Sequence, residues 1–410
     1  MTQKTGRDAT RARLGAAGAA VTVATLVTNA LAYVVPVLGA RRLSAADLGA
    51  LATVLALAAI AAVPGYGLQI AVAAHRARWG GGDSARLGLR TAVLTAAVTL
   101  AAAPVLTMAL RLPVALTLLL AATTFATVLG GRWLGELQGD QRFLRLAVSM
   151  AVLATGRYSG LVVGLVLGLE PAFCLLLAAL TGLLALPLLA RLARPAAAGR
   201  AAAGPVAGAM VPNGVPGVLG ARQVMTACGA TLAMLTISYA DLILARQLLP
   251  GSTSGAYAVG AVLTKGALWA PQVVTLLVLP RLARGDRRAR LTALVLILAC
   301  GAILVAASTV GGELAFRLAG GADYLHMAGL APLFAATGAL YAVVFMLVND
   351  RVATAARWPA APLWLTTFGL AASAALVAPR SVTGVLCCAL AAAAVATVTM
   401  TLLTFRPARR

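Results

Sequence analysis

Residues Ala240 to Arg284 read ADLILARQLLPGSTSGAYAVGAVLTKGALWAPQVVTLLVLPRLAR, and this stretch decides the fold. It contains the end of one apolar segment, a short turn, and a whole second apolar segment. An acid, Asp241, and a base, Lys265, interrupt residues that are otherwise apolar. Charged side chains inside a membrane are costly, and they usually have a function there. The stretch predicts two membrane helices that each carry a functional charge.

The composition extends this prediction to the whole chain. Of 410 residues, 61% are hydrophobic and 11% are charged, and the mean hydropathy is +0.94. A soluble protein of this size cannot hide so much apolar surface from water. Windows of 18 or more uncharged apolar residues recur along the chain, as in transmembrane helices. We predict an all-α polytopic membrane protein with twelve transmembrane helices.

The net charge of +22 raises the question of nucleic-acid binding. The positions of the arginines favour another explanation, because they concentrate in alternate loops between the apolar segments. Such an alternation follows the positive-inside rule, by which basic loops stay in the cytoplasm. We predict no nucleic-acid partner, a location in the cytoplasmic (inner) cell membrane, and both termini on its cytoplasmic side.

One long break divides the chain into two halves. The segment from Arg191 to Arg222 is rich in Pro and Gly and carries scattered basic residues, which is typical of a linker. It predicts an N-terminal six-helix lobe over 1–190, a cytoplasmic linker over 191–222, and a C-terminal six-helix lobe over 223–410.

The two halves share an ordered set of residues at an offset of about 205 to 207. The matching positions are Ala40-Arg41-Arg42-Leu43 with Ala245-Arg246-Gln247-Leu248, Gly49 with Gly255, and Arg76 with Arg281. Because six helices is an even number, both halves enter the membrane the same way up. A parallel 6+6 repeat of this kind predicts a substrate site in a central cavity between the halves.

Motifs for catalysis or cofactor binding are missing from the sequence. It contains no nucleophile motif, phosphate-binding loop or dinucleotide fingerprint. The five cysteines lie in apolar runs without metal-ligand spacing, and neither of the two histidines lies near a matching acid or cysteine pattern. We predict that the protein is not an enzyme and has no catalytic residue, metal site or cofactor.

Two stretches carry a family resemblance. The first stretch is the end of the first helix, Val35-Pro36-Val37-Leu38-Gly39-Ala40-Arg41, followed by Leu43-Ser44-Ala45-Ala46-Asp47-Leu48-Gly49. The second stretch is Ala221–Arg284. They resemble the polysaccharide-biosynthesis (Wzx-like) flippases of the multidrug/oligosaccharidyl-lipid/polysaccharide exporter (MOP) superfamily. The resemblance implies two lobes that form a V around a central cavity and work by alternating access.

The resemblance also implies a substrate and partners. The substrate would be an oligosaccharide linked to polyprenyl pyrophosphate, turned from the cytoplasmic to the outer leaflet among membrane lipids. The partners would be a polysaccharide polymerase or ligase machinery. No nucleotide site is expected, and none is visible in the sequence.

Arg157 lies near the middle of the fifth predicted helix. A charge at mid-bilayer costs about 2.5–3.5 kcal/mol on insertion scales. One interpretation is a cavity cation that binds the substrate pyrophosphate through paired hydrogen bonds. The other is an arginine that packs helices together and is satisfied by carbonyl groups or an acid.

Lys265 and Asp241 lie at similar depths, about 15 and 12 Å from the outer ends of their helices at ~1.5 Å per residue. They are therefore predicted to be close enough to pair. In one interpretation, Lys265 binds the substrate anion and Asp241 holds it until the substrate arrives. In the other, the two form a permanent structural ion pair, which is weak evidence for stability.

The remaining candidates are uncharged amides and outer arginines. Asn29 and Gln69 are predicted either to bind sugar hydroxyls or to join helices by hydrogen bonds. Arg41, Arg42 and Arg246 are predicted at equivalent outer helix ends. They form either an exit-side gate or a set of arginines that extend to the membrane interface.

Three other functions remain open at this point. An ion-coupled multidrug exporter of the same superfamily would use an embedded carboxylate, and Asp241 is the one convincing candidate. A major-facilitator-type transporter shares the 6+6 plan, but the Gly-x-x-x-Asp-Arg loop expected of it is not evident around residues 75–83. A membrane glycosyltransferase or ligase is disfavoured, because no outer loop is long enough for a catalytic subdomain.

Overall fold

The structure is a computed structural model that describes residues 23–24, 27–28, 31–79, 84–194, 221–271, 287–353, 358–377 and 379–405. The first half contains α1 (31–42), α2 (Ala45–Ala61), α3 (Val63–Trp79), α4 (Ser84–Leu110), α5 (Val114–Gly139), α6 (Phe143–Val166) and α7 (Pro171–Ala193). The second half contains α8 (Ala221–Leu248), α9 (Gly251–Trp269), α10 (Arg287–Val310), α11 (Gly312–Ala319), a 3-10 helix (Ala322–Leu330), α12 (Ala331–Ala353), α13 (Ala361–Leu376) and α14 (Val382–Phe405).

The helices of the described residues confirm an all-α polytopic membrane protein. Within those ranges nine spans are long and apolar enough to cross a membrane, and no β-strand is present. The other three predicted helices fall on α1, α9 and α13, and α13 is a shorter apolar helix. The observed elements thus follow the predicted order of apolar segments.

Three details differ from the prediction. The second span breaks at Ala62 into α2 and α3, next to Pro64, because proline cannot continue the helical hydrogen bonding. The fourth helix, predicted over Leu112–Leu129 with an extension past Arg132 left open, runs from Val114 to Gly139. The loop predicted between the ninth and tenth spans folds into α11 and the 3-10 helix.

Each half has its own apolar core, and a further cluster joins them. Leu116, Leu161 and Leu165 belong to the core of the first half, whereas the buried run 341–348 of α12 belongs to that of the second. The joining cluster packs Leu48 of α2 with residues of α9, α12 and neighbouring helices. The two halves therefore meet chiefly through α2 and α3 on one side and α8 and α9 on the other.

Glycines bring α3 and α5 into direct backbone contact. Cβ atoms built on Gly131, Gly135 and Gly139 would lie 2.4–2.7 Å from carbonyl oxygens of α3, and so only glycine fits. Small residues at four-residue spacing allow this close approach between membrane helices. The contact fixes the register of α3 against α5 and aligns the polar side chains at their shared end.

We call those aligned side chains the Glu136 cluster; its members are Arg76, Ser84, Arg132, Glu136 and Asp140. Glu136 accepts hydrogen bonds from Ser84 Oγ at 2.6 Å and Arg132 Nε at 2.9 Å. Arg76 Nε donates to Asp140 Oδ1 at 2.8 Å, and its Nη1 lies 3.6 Å from Glu136. The i,i+4 pair within α5 explains why this helix continues through Arg132.

The second half has a related ion pair. Arg290, near the start of α10, lies 3.0 Å from Asp350, near the end of α12. In the first half the start of α4 and the end of α5 are joined by a hydrogen bond instead, from Ser84 to Glu136. The third and fourth spans of each half are thus tied by polar groups at the same end, as a repeat predicts. The linker predicted over 191–222 falls mostly on residues 195–220, outside the described residues, and so the lobe boundaries remain a prediction.

Candidate functional site

A cavity of about 350 Å³ lies between the two halves. Its walls come from α1, α2, α3, α5 and α6 of the first half and from α8 and α9 of the second. The lining groups able to make polar interactions are Thr28, Tyr33, Tyr66, Gln69, Thr127, Arg157, Tyr158, Tyr239, Lys265 and Trp269. Among the described residues, no carboxylate lines this cavity. A cavity of this size in a membrane protein, with two cations in an apolar wall, is suited to an anionic group carried on an apolar body.

Arg157 reaches the cavity because of the way α6 packs. Gly156 and Gly160 lie against α7, and Thr181 Oγ1 donates to the Gly156 carbonyl at 2.6 Å. The next position, Arg157, is turned about 100° away from that packed face and faces the cavity. Its guanidinium carbon lies 5.4 Å from the ring centroid of Tyr158, a distance that allows a cation–π interaction.

The Arg157 guanidinium has neutral neighbours. Tyr66 of α3 and Tyr239 of α8 line the same cavity, in addition to Tyr158. The ion pairs of the described residues do not include Arg157. Its positive charge is therefore available to a ligand in the cavity, because neutral tyrosines do not cancel it.

Lys265 supplies the second cation, from the opposite half. Its Nζ donates to the carbonyl oxygen of Ser238 on α8 and lies 3.4 Å from the ring centroid of Tyr239. Both partners are neutral, as they are for Arg157. The cavity thus receives one cation from each half of the repeat.

Asp241 is close to the cavity but does not line it. Its side chain is 2% exposed. One carboxylate oxygen accepts from Tyr257 Oη at 2.9 Å, and the other accepts from the Leu242 amide at 2.8 Å. These two bonds hold Asp241 inside the second half, behind the wall that Lys265 forms.

Asp241 and Lys265 are near enough to interact electrostatically, but no direct ion pair of the described residues joins them. The ion pairs within the described ranges do not include these two residues. Similar depth along two helices was the basis for the prediction, but depth does not specify the direction in which each side chain points. Tyr257 takes the carboxylate and Ser238 takes the ammonium, so each charge has a separate neutral partner.

The two amides have different outcomes. Gln69 lines the cavity, and its Nε2 donates to Gln138 Oε1 at 2.9 Å across the contact of α3 with α5. It thus joins two helices and also faces the cavity. Asn29 lies outside the described residues.

The three outer arginines are placed differently from one another. Arg246 is 9% exposed and donates hydrogen bonds to carbonyl groups of the first half. Arg41 is exposed and donates to the Leu318 carbonyl at 3.2 Å. Arg42 is exposed, and no hydrogen bond or ion pair with another described residue is found for it. If all three arginines extended to the membrane interface, all three would be exposed, but Arg246 is buried.

Sequence reasoning missed the tyrosines of the cavity. The chain has seven tyrosines, and four of them line this one cavity: Tyr33, Tyr66, Tyr158 and Tyr239. A tyrosine hydroxyl inside a membrane needs a polar partner, as does a charge. Their positions inside apolar segments could have indicated the cavity, but the charged residues in the same segments gave a stronger signal.

Comparisons with solved structures place the fold among the MATE transporters. A multidrug resistance MATE family transporter of the MOP superfamily matches in an inward-facing conformation, with a TM-score of 0.62 and 13% identity over 92% of this chain and 94% of that one. One in an outward-facing conformation also has a TM-score of 0.62, with 15% identity over 95% and 94%.

A third structure is a MOP superfamily transporter from Pyrococcus furiosus, described as having a reverse polarity of its binding pocket that suggests a different function. Its TM-score is 0.54, with 13% identity over 96% of this chain and 95% of that one. No protein-family model and no curated protein sequence matches the chain. The polytopic fold is therefore MATE-like. The resemblance to Wzx-like flippases within the superfamily has no support from these comparisons.

Proposed function

We propose that the protein is a membrane transporter that turns polyprenyl-pyrophosphate-linked oligosaccharide from the cytoplasmic to the outer leaflet. The two halves of a MATE-like fold would expose the cavity to each side in turn. The observation that carries the proposal is the polarity of the cavity: Arg157 and Lys265 face it from opposite halves, and the described residues place no carboxylate in its lining. A diphosphate that bridges the two cations would bind both halves at once.

The chemistry of the wall supports an anionic and amphipathic substrate. Arginine binds phosphate oxygens through two parallel hydrogen bonds, and this geometry suits a pyrophosphate. Tyrosine hydroxyls and the amide of Gln69 offer donors and acceptors to sugar hydroxyls. Many of the other lining residues are Ala and Leu, which suit an isoprenoid segment next to the head group.

A transport assay with purified protein tests the proposal directly. Liposomes would contain the protein and a fluorescent polyprenyl diphosphate that carries a short oligosaccharide, and dithionite would quench the label in the outer leaflet. In liposomes that contain the protein, we expect dithionite to quench also the fluorescence of lipid that began in the inner leaflet, because the protein moves this lipid to the outer leaflet. Arg157→Ala and Lys265→Ala should each lose most of this activity. Full activity in both variants would contradict the assignment of the site.

The same variants should act in cells. If the proposal holds, cells that express either variant should lose surface polysaccharide, while the amount of the protein in the membrane stays normal. Arg380→Ala is a matched control, because Arg380 is an exposed loop arginine far along the chain from the cavity residues. Polysaccharide loss in that control would show that a general loss of positive charge, and not the cavity, is responsible.

Orientation and partners belong to the same proposal. The basic loops favour cytoplasmic termini in the inner membrane. A protein that delivers lipid-linked glycan to the outer leaflet would supply a polysaccharide polymerase or ligase there. Cysteine tags at residues 2 and 409, labelled from either side of the membrane, would test the orientation.

A second candidate is an ion-coupled multidrug exporter, and Asp241 is the observation that favours it. This carboxyl is buried one layer behind the cavity and is bonded to Tyr257. A site of this kind can couple binding of an ion to movement of α8 and α9. Structures named as multidrug resistance transporters share the fold. The cation-lined cavity is the argument against a cationic drug as the substrate.

Efflux measurements separate the two candidates. An exporter of this kind predicts drug efflux that depends on a proton or sodium gradient and is lost in Asp241→Asn. A lipid-linked glycan flippase predicts lipid turnover that depends on Arg157 and Lys265. The outcome for these three variants, measured in both assays, selects between the candidates.

A further inference from the structure

Two arginines at corresponding positions of the repeat reach across to opposite halves. Arg246 of α8 donates from Nε to the Leu110 carbonyl at 3.1 Å and from Nη2 to the Arg111 carbonyl at 3.0 Å. Its Nη1 lies 3.3 Å from the Ala46 carbonyl. All three acceptors belong to the first half. Arg41 of α1, which corresponds to Arg246 in the repeat, donates to the Leu318 carbonyl of the second half.

The acceptors also correspond between the halves. Leu110 is the last residue of α4, the third span of the first half, and Arg111 follows it. Leu318 belongs to α11, which follows α10, the third span of the second half. Arg246 therefore binds the end of the third span of the first half, and Arg41 binds the short helix that follows the third span of the second half. This reciprocal arrangement is what a two-fold relation between the halves produces.

Two corresponding glycines lie at the same end and bring the helices together. A Cβ atom on Gly49 of α2 would lie 2.7 Å from Ser254 Oγ, and one on Gly255 of α9 would collide with the Ala45 carbonyl. Since each glycine contacts the other half, the N-terminal turns of α2 and α9 cross in direct backbone contact. Arg246 Nη1 lies 3.5 Å from Ser254 Oγ, beside this crossing.

The bonds of Arg246 hold the closed state without an ion pair. The acceptors named for it are carbonyl and hydroxyl oxygens, and the ion pairs of the described residues do not include it. When the halves separate, water can replace neutral acceptors at small net cost, whereas parting a buried ion pair costs much more. The contact is therefore suited to repeated opening.

We propose that Arg41 and Arg246 form a reciprocal latch that closes one end of the cavity and must be released for the cavity to open there. The charge distribution of the loops assigns this end to the outer face. Arg246 is the stronger half of the latch, since it is buried and makes several bonds, while Arg41 is exposed and makes one. The inference rests on the proposed function only in requiring that the two halves separate.

Labelling of a cavity cysteine from outside tests the latch. Ala258 lines the cavity, and Ala258→Cys would be labelled in intact cells with a membrane-impermeant maleimide. The chain without this cysteine gives the background from the native thiols. Adding Arg246→Ala should raise the outside labelling rate about tenfold, because hydrogen bonds to a charged donor shift an equilibrium by that order.

Matched variants make the result specific. Arg41→Ala should raise labelling only about threefold, because its single bond is exposed to water, and Arg380→Ala should leave it unchanged. Equal labelling in Arg246→Ala and Arg380→Ala would overturn the latch. An increase seen only in inside-out vesicles would overturn its assignment to the outer face.

A disulfide provides a measurement that does not depend on how Arg246→Ala folds. Ala46→Cys with Gly251→Cys should form a disulfide between the halves, because a Cβ atom on Gly251 would lie 3.2 Å from Ala46 Cβ; the product is seen on gels after cleavage of a protease site engineered within 195–220. Arg246→Lys should lower the yield severalfold, because ammonium cannot reach several carbonyls in a planar fork. No disulfide in the folded parent, or an unchanged yield in Arg246→Lys, would contradict the latch. Neither measurement uses a substrate, and so failure of the latch is distinguishable from failure of lipid transport.

Discussion

The basic residues of the cavity and those of the Glu136 cluster have opposite surroundings. Arg76 and Arg132 are bound to the carboxylates of Glu136 and Asp140 at 2.8–3.6 Å. Arg157 lies in the cavity among tyrosines. The same side chain is thus neutralised in one region and left with its charge in the other.

The difference separates two uses of a charge in a membrane protein. A cation that joins helices is matched by an anion during folding, because an unpaired charge in a partly buried site is costly. A cation that waits for a ligand has neutral partners, which hold its position but leave its charge. Under the proposed function, cation–π contacts and carbonyl bonds would serve this second purpose for Arg157 and Lys265.

The largest effect should come from breaking the Glu136 cluster. Glu136→Gln removes the carboxylate that Arg132 and Ser84 bind and Arg76 approaches, and it should lower the free energy of unfolding by about 3 kcal/mol. Thermal unfolding of the detergent-solubilised protein would measure it. Glu170→Gln, at an exposed acid, is the control and should change little. Equal thermal stability of Glu136→Gln and Glu170→Gln would show that the Glu136 cluster does not stabilise the fold.

Arg157→Gln should show the opposite pattern. We expect the affinity for a short-chain polyprenyl pyrophosphate to fall by roughly 10- to 100-fold, the loss of about 1.5–3 kcal/mol typical of hydrogen bonds to a charged group. Thermal stability should change little, since no ion pair is lost within the described residues. A large drop in stability with unchanged affinity would make Arg157 a structural arginine.

Tyr257→Phe tests whether Asp241 belongs to the folded core. The change removes the donor to a buried carboxylate oxygen, and it should cost about 1–2 kcal/mol of unfolding free energy. Tyr239→Phe is a matched change in the cavity wall and should have a much smaller effect on stability. If the two variants are equally stable, the Tyr257 bond contributes nothing to the core.

The smallest effect distinguishes the two roles of Gln69. Gln69→Leu and Gln138→Leu each break the same hydrogen bond, and each should cost about 1 kcal/mol of stability. Only Gln69 lines the cavity, so only Gln69→Leu should also weaken binding of the oligosaccharide-linked diphosphate, by severalfold. Identical binding by the two variants would leave Gln69 as a helix-joining residue alone.

The sequence predicted the cations of the cavity but not their partners. Arg157 and Lys265 stand out because a charge in an apolar segment is costly wherever it points. The direction of Asp241 was beyond prediction, because two helices of unknown rotation can place residues of equal depth apart. The extension of α5 through Arg132 stayed open at the sequence level, because hydropathy does not register the contacts that Glu136 and the glycines make there.

The repeat was the more informative pattern. Arg41 matches Arg246, and Gly49 matches Gly255. Each of these four residues contacts the half of the protein to which it does not belong. The sequence supplied the correspondence, and only coordinates could show that each member contacts the opposite half.

The Glu136 cluster has a consequence for the order in which the protein is made. Arg76 leaves the ribosome some sixty residues before Glu136 and Asp140, and Arg290 precedes Asp350 by a similar length. In each half the arginine is therefore synthesised well before its carboxylate partner. Until then its charge is free to fix the orientation of the nascent helices. Under the predicted orientation, arrival of the fourth span would then neutralise that charge, so that one residue would serve first as a topology signal and later as a helix contact.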